Sequence, residues 1–193
     1  MSEDEKNILN AMKQVRNLFK EFALILETID DQLEGKGFET ITGSTCLADG
    51  SSSLYSPTYW MPTHVLRFYQ NAHYSNLQLY VAIYFDDDNR QDYLLNQPII
   101  SAGVFDFQTK KVTFNGDYDR AKFFFEAFTF LKKTQFIPGE ILTLSIDMDW
   151  KKEVGDYAFD SATCFAYPLL SIKNSSDIEE KITKVLLKII EEK

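Results

Sequence analysis

Residues 141–150 read ILTLSIDMDW, and from Leu142 onward the apolar and polar side chains of this stretch alternate. Alternation with a period of two is typical of a β-strand with one face on a core and the other toward water or a site. We therefore expect a strand over residues 141–150. Its inward-facing side chains would be Leu142, Leu144, Ile146, Met148 and Trp150.

Three helices are predicted around this strand. Apolar residues recur at three- and four-residue steps from Ile8 to Leu33, which indicates one amphipathic helix ending at about residue 34. Ser2 is a suitable N-cap for it, and Gly35 a suitable terminator. A second helix is predicted over residues 120–133, and a third over residues 176–192, where Asn174 precedes the first turn.

The remaining apolar runs predict further strands, over residues 64–70, 77–85, 99–107 and 159–172. The order is helix, several strands, helix, two strands, helix. It favours one α+β domain over residues 1–193, built on a mainly antiparallel sheet. In this arrangement the N-terminal helix occupies residues 1–34. The sheet occupies residues 36–172 with the helix at 120–133 inserted, and the C-terminal helix follows at 176–192.

Charge and cysteine content narrow the class of protein. The net charge of −9 disfavours nucleic acid and anionic membranes as partners. The chain begins with acidic residues rather than a basic signal-peptide start, and its longest apolar run, residues 79–85, is too short to span a bilayer. Cys46 and Cys164 lie far apart and, with two histidines, form no zinc-binding spacing. These features predict a cytoplasmic protein that does not bind to membranes.

The segment from Lys36 to Phe85 carries only four formal charges and contains the first candidate site. An arginine with few charged neighbours can hold a carboxylate or phosphate, and flat aromatic rings can supply apolar contact. The alternative is a half-buried strand whose arginine pairs with an acidic residue and whose aromatic rings belong to the core. The candidate ligand- or partner-binding residues are Tyr55, Tyr59, Trp60, His64, Arg67 and Tyr69.

A second candidate site is acidic. Asp147 and Asp149 lie two residues apart on the polar face of their strand, a geometry able to share Mg²⁺ or Mn²⁺. The tripeptide at 149–151 also resembles the D-x-K pattern of restriction-type nucleases. In those enzymes the motif strand usually belongs to a hairpin that precedes a helix, whereas this strand follows a predicted helix. A solvated strand face is the simpler interpretation.

The chain contains no P-loop, no Gly-x-Gly-x-x-Gly and no Gly-x-Ser-x-Gly motif. These absences and the many tyrosines favour a non-catalytic interaction or binding protein that uses an aromatic sheet face and needs no cofactor. Its partner would be another protein or a small ligand, and its oligomeric state is open. The same features would suit an accessory, immunity or chaperone-like role, and the element order is loosely similar to that of small acidic secretion chaperones.

Two alternatives to this interpretation remain at the level of sequence. One is a metal-dependent hydrolase or nuclease that uses Asp147 and Asp149. The other is a small-molecule sensor domain in which Arg67 anchors an anion.

Overall fold

The computed structural model describes residues 2–48, 54–55, 61–85, 97–107, 137–145 and 159–193. It has the predicted α+β architecture, in which an antiparallel sheet packs against an N-terminal and a C-terminal helix. The inserted helix predicted over residues 120–133 lies outside the described residues.

The described part of the chain contains two helical regions and seven strands. The N-terminal helix, α1, spans Glu3–Glu34. The strands are β1 (Glu39–Thr40), β2 (Leu47–Ala48), β3 (His64–Gln70), β4 (Leu77–Tyr84), β5 (Ile99–Asp106), β6 (Leu142–Ser145) and β7 (Ser161–Pro168). The C-terminal helical region consists of α2 (Ser175–Ile178), a π-helical turn (Glu179–Thr183) and α3 (Lys184–Glu191). Two 3₁₀ turns, Ala72–Tyr74 and Leu169–Ser171, follow β3 and β7.

All paired strands are antiparallel, and their order across the sheet is β1-β3-β4-β5-β7-β6. The short strand β2 also pairs with β3, so β1 and β2 share that edge of the sheet. The central strands β4 and β5 are buried along nearly their whole length. Both faces of the sheet are therefore core.

The two faces differ in composition because the strands alternate. The first face is mainly aliphatic and packs against α1 and the C-terminal helical region. The second face is rich in aromatic rings, and their packing is close: Tyr80 and Phe105 have ring centroids 5.0 Å apart, and Phe105 and Phe159 4.7 Å apart. The side chains of β3 are divided between them, since Val65 and Tyr69 belong to the first face and Leu66 and Phe68 to the second.

Local chemistry fixes both ends of α1. The Ser2 hydroxyl accepts a hydrogen bond from the Glu5 amide at 3.2 Å, and the Glu5 carboxylate accepts one from the Ser2 amide at 2.6 Å. This reciprocal capping box satisfies two amide groups that the first turn leaves open. At the other end the chain turns at Gly37, whose φ of 82° is easily adopted by glycine. Both predicted boundaries of this helix are confirmed.

The C-terminal helical region is fastened to α1 by polar contacts as well as apolar packing. The Gln32 amide donates to the Ser175 carbonyl at 3.2 Å and accepts from the Thr183 hydroxyl at 2.6 Å. Asn174 caps the region by accepting from the Asp177 amide at 2.9 Å, as predicted. The C-terminal half of α1 thus contacts both this region and the sheet.

The strand predicted over residues 141–150 is only partly described. Strand β6 spans Leu142–Ser145, and residues 146–150 lie outside the described residues. Within β6, Leu142 and Leu144 are half-buried and Thr143 is exposed, which agrees with the predicted alternation. This strand lies at the edge of the sheet and pairs with β7.

Candidate functional site

The structure separates the residues of the first predicted site. Arg67 and Tyr69 point to the α1 side of the sheet, where both contact Asp30. His64 lies on the opposite face, where its ring stacks on Tyr84 at a centroid distance of 5.0 Å. Tyr55 is 98% exposed. Residues 59 and 60, and the two aspartates at 147 and 149, lie outside the described residues.

The Arg67 guanidinium is occupied by contacts within the chain. Its Nε donates to Asp30 Oδ1 at 2.9 Å, and its Nη2 lies 2.7 Å from Asp30 Oδ2. The remaining contacts are with the loop before β2: Nη2 with the Gly43 carbonyl, and Nη1 with the Thr45 carbonyl and the Cys46 sulfur. An arginine has five N–H donors, and these five acceptors match them in number. These contacts form a structural tie, by which we mean the ion pair and hydrogen bonds that join Arg67 to Asp30 of α1 and to the loop before β2. This agrees with the alternative in which the arginine pairs with an acidic residue.

Tyr69 completes the tie. Its hydroxyl donates to Asp30 Oδ1 at 2.8 Å, so one carboxylate joins α1 to two residues of β3. Burial and the nearby Asp30 carboxylate raise the pKa of Tyr69 well above its usual value. The hydroxyl therefore stays protonated and donates at neutral pH.

The aromatic face of the sheet is core rather than surface. Phe68, Tyr80 and Phe105 are fully buried there, together with Cys164. Burial raises the pKa of the Cys164 thiol to about 12, so it remains protonated and is unsuited to act as a nucleophile. Both cysteines are free.

The N-terminal half of α1 exposes apolar side chains. The first fully buried residue of this helix is Phe22, and Phe19 before it is partly buried against Phe85. Further toward the N-terminus the apolar stripe is mostly exposed: Ile8 is 64% exposed and Met12 50%. Leu9 and Leu18 are also exposed. We call this segment, Glu3–Lys20, the projecting half of α1.

The projecting half also carries a row of positive charge. Between Lys6 and Lys20 there are four cations and no acidic residue, although the chain as a whole has a net charge of −9. Lys6, Lys13 and Lys20 are spaced seven residues apart, two helical turns, so they lie in one row. Arg16 falls beside this row. The segment is thus a basic amphipathic helix on an acidic protein.

An apolar groove begins where the projecting half meets the sheet. Its α1 wall is formed by Leu18, Phe22 and Ile25, and its opposite wall by Phe85, which follows β4, and by residues of the turn after β7. Its volume is 490 Å³. Leu170, on the rim, is 83% exposed. The groove continues the apolar stripe, so the two features form one surface.

Helical spacing predicts the stripe from Ile8 to Leu33 but not how much of it the sheet covers. A 32-residue helix is about 48 Å long, whereas an eight-residue strand such as β4 is about 26 Å long. The sheet therefore covers about half of the helix. The mismatch in length and the run of cations are the sequence signals that identify the projecting half.

Comparison with protein-family models, with curated proteins and with solved structures finds no match to this chain. Within the described ranges no cluster of three or more His, Cys, Asp or Glu side chains could hold a metal ion. None of the helices in those ranges has the length and apolarity needed to cross a bilayer.

Proposed function

We propose that this protein is a non-catalytic interaction protein that docks through the projecting half of α1 onto an acidic, apolar groove of another protein. The observation that carries the proposal is an exposed apolar stripe bordered by four cations on a chain of net charge −9. Large exposed apolar patches rimmed by polar residues mark interaction sites. The proposed contact surface replaces the aromatic sheet face, because that face is buried.

The charge pattern favours an acidic partner over a second copy of the chain. A groove edged with carboxylates would receive Lys6, Lys13, Arg16 and Lys20 while its apolar floor covers the stripe. An antiparallel pairing of two copies through this stripe would instead bring the two cation rows to the same side of the helix pair. Like charges facing each other across a contact oppose it.

The shape of the surface favours a protein over a membrane. Basic amphipathic helices also bind anionic bilayers, with the apolar face lying flat in the interface. Here the stripe runs into a concave groove of 490 Å³, whose walls include parts of the sheet domain. A protein ligand can fill that concavity with a side chain, and a flat lipid surface cannot.

The test uses calcium-loaded calmodulin as a model partner, because it binds amphipathic helices in an apolar, Met-rich groove. Binding of the full chain would be measured by fluorescence anisotropy. We expect calcium-dependent binding that the double variant Ile8→Ser/Met12→Ser weakens at least about tenfold, equivalent to about 1.4 kcal/mol. The double variant Lys13→Glu/Arg16→Glu should weaken it as strongly, and added salt should weaken the wild-type complex.

The matched control is Asn10→Ser/Asn17→Ser, which changes the same helix away from the stripe and should bind like the wild type. Absence of calcium-dependent binding, or an equal loss in the control, would overturn the proposal. Light scattering that shows a dimer lost in Ile8→Ser/Met12→Ser would assign the surface to a second copy. Co-sedimentation with phosphatidylserine vesicles, lost in the same variant, would assign it to a membrane.

A further inference from the structure

A second cavity, separate from the α1 surface, lies at the end of the sheet beside the turn between β3 and β4. Its volume is 410 Å³, within the range typical of small-molecule sites. The described residues that line it come from β1, the ends of β3 and β4, and the 3₁₀ turn Ala72–Tyr74. Asn71 shapes this turn, because its side-chain oxygen accepts from the His73 amide at 2.8 Å.

Gln78 at the start of β4 is the unusual feature of this cavity. Its side chain is 1% exposed, and among the described residues neither its Nε2 nor its Oε1 has a hydrogen-bond partner. A buried amide normally makes these bonds, and leaving it without them is costly. Both amide atoms have almost no accessible surface, but Gln78 is among the residues that line the cavity. A change of side-chain rotamer would let a molecule in the cavity supply these bonds.

The strand register shows which residues share the face of the sheet with Gln78. Gln78 pairs with Phe105 on one side, and Phe105 is fully buried. On the other side, the pairing of Tyr69 with Leu79 places Gln70 opposite Gln78 when it is continued by one residue. Glu39 pairs in turn with Gln70. Paired residues point to the same face of an antiparallel sheet, so a polar row runs from Gln78 through Gln70 to Glu39.

This geometry points to a binding site for small neutral or cationic molecules that carry an amide-type edge, with a hydrogen-bond donor beside an acceptor. Gln78 offers the complementary pair, an NH₂ donor and a carbonyl acceptor, in one plane. Glu39 sets the charge preference, because it is an acidic lining residue and no lysine or arginine is among the described lining residues. Anionic molecules are therefore disfavoured, whereas primary amides, lactams and nucleobases fit.

The experiment compares nicotinamide with nicotinate, two probes of nearly equal shape that differ in an amide and a carboxylate. Binding to the full chain would be measured by calorimetry and by the shift in melting temperature, Tm. We expect saturable binding of nicotinamide that is at least about tenfold tighter than that of nicotinate. Uracil, which carries a lactam edge, tests whether the class extends to nucleobases. Glu39→Gln should reduce the preference for nicotinamide over nicotinate.

The decisive variant is Gln78→Met, which keeps the side-chain volume and removes both polar atoms. Removing a buried amide without partners should raise the Tm of the free protein by about 2–4 °C. It should also weaken the binding of nicotinamide at least about tenfold. Gln14→Met, the same change on the exposed surface of α1, should alter neither quantity. A lower Tm in Gln78→Met would show that the amide is already satisfied, for example by an enclosed water, and would overturn the inference. Absence of saturable binding of nicotinamide and uracil to the wild type would also overturn it.

Discussion

The two halves of α1 have the same sequence pattern and different surroundings. Apolar side chains recur at the same three- and four-residue steps on both sides of Phe22. From Phe22 on the stripe is largely buried, with Ile29 and Leu33 fully inaccessible. Before it, Phe19 is partly buried, and Ile8, Leu9, Met12 and Leu18 are exposed. The charge also differs. All charged residues in Lys6–Lys20 are cations, whereas all charged residues among the following fourteen are acidic.

This difference shows that an amphipathic pattern predicts an apolar contact surface on the helix. It does not predict whether that surface packs within the chain or against another molecule. The buried half packs within the chain, on the sheet and the C-terminal helical region. Its carboxylates serve this purpose too, because Asp30 ties the helix to β3 through Arg67 and Tyr69. In the projecting half, every charged residue after Glu5 is a cation, and none of them makes such a contact among the described residues. This charge suits contact with an acidic molecule outside the chain.

The largest effect expected from this comparison comes from truncating one isoleucine in each half. Ile29→Ala should lower the free energy of unfolding by about 3 kcal/mol, because it removes a fully buried side chain and leaves a cavity. Ile8→Ala, the matched change in the projecting half, should alter it by less than about 0.5 kcal/mol. Urea denaturation of both variants measures the difference. Equal costs would show that the projecting half is packed as part of the core.

Removing the carboxylate of Asp30 should have the next largest effect. Asp30→Ala leaves Arg67 buried without its anionic partner and Tyr69 without its acceptor. Because the Asp30 side chain is 25% exposed and the carbonyl groups of the loop before β2 remain as acceptors, we expect a loss of about 2 kcal/mol, less than for a fully buried pair. The neighbouring Asp31→Ala is the control and should be nearly neutral. If both changes cost the same, the tie contributes nothing specific.

Alkaline pH should weaken the buried half through Tyr69. Burial and Asp30 raise the pKa of Tyr69 in the folded protein above the value of about 10 in the unfolded chain. The unfolded state therefore loses this proton first. The resulting stability is fully present below pH 10 and is lost as the pH rises, by about 1.4 kcal/mol per unit for this one group. Tyr69→Phe should lower the stability at neutral pH but reduce that slope above pH 10. An unchanged slope would contradict the assignment.

Much of the fold follows from local sequence, and the tertiary pairings do not. Ser2 and Gly35 mark the ends of α1 because capping chemistry acts over a few residues, and a period of two assigns the faces of β3. Asp30 is different: it meets Arg67 from 37 positions away, a contact that depends on how the helix crosses the sheet. The amide of Gln78 is equally inaccessible to sequence reasoning, since its lack of partners depends on which strands flank it.

The smallest effect should come from removing the two helix caps. One loss should be local to the helix end, and the other should lower the stability of the whole fold. Ser2→Ala removes the capping box at the free end of α1, worth about 1 kcal/mol of local helix stability. Because the projecting half can fray while the core stays folded, the global free energy of unfolding should hardly change. Amide exchange in the first turns should accelerate about fivefold.

Asn174→Ala is the matched change on the C-terminal helical region, where the cap accepts from the Asp177 amide and the helix packs on the sheet. In this variant the global free energy of unfolding should fall by about 1 kcal/mol, because fraying there also exposes core residues such as Ile178 and Ile182. Hydrogen exchange and urea denaturation on both variants separate local from global loss. A global loss in Ser2→Ala would mean that the projecting half is coupled to the core, which would leave it less free to dock onto a partner.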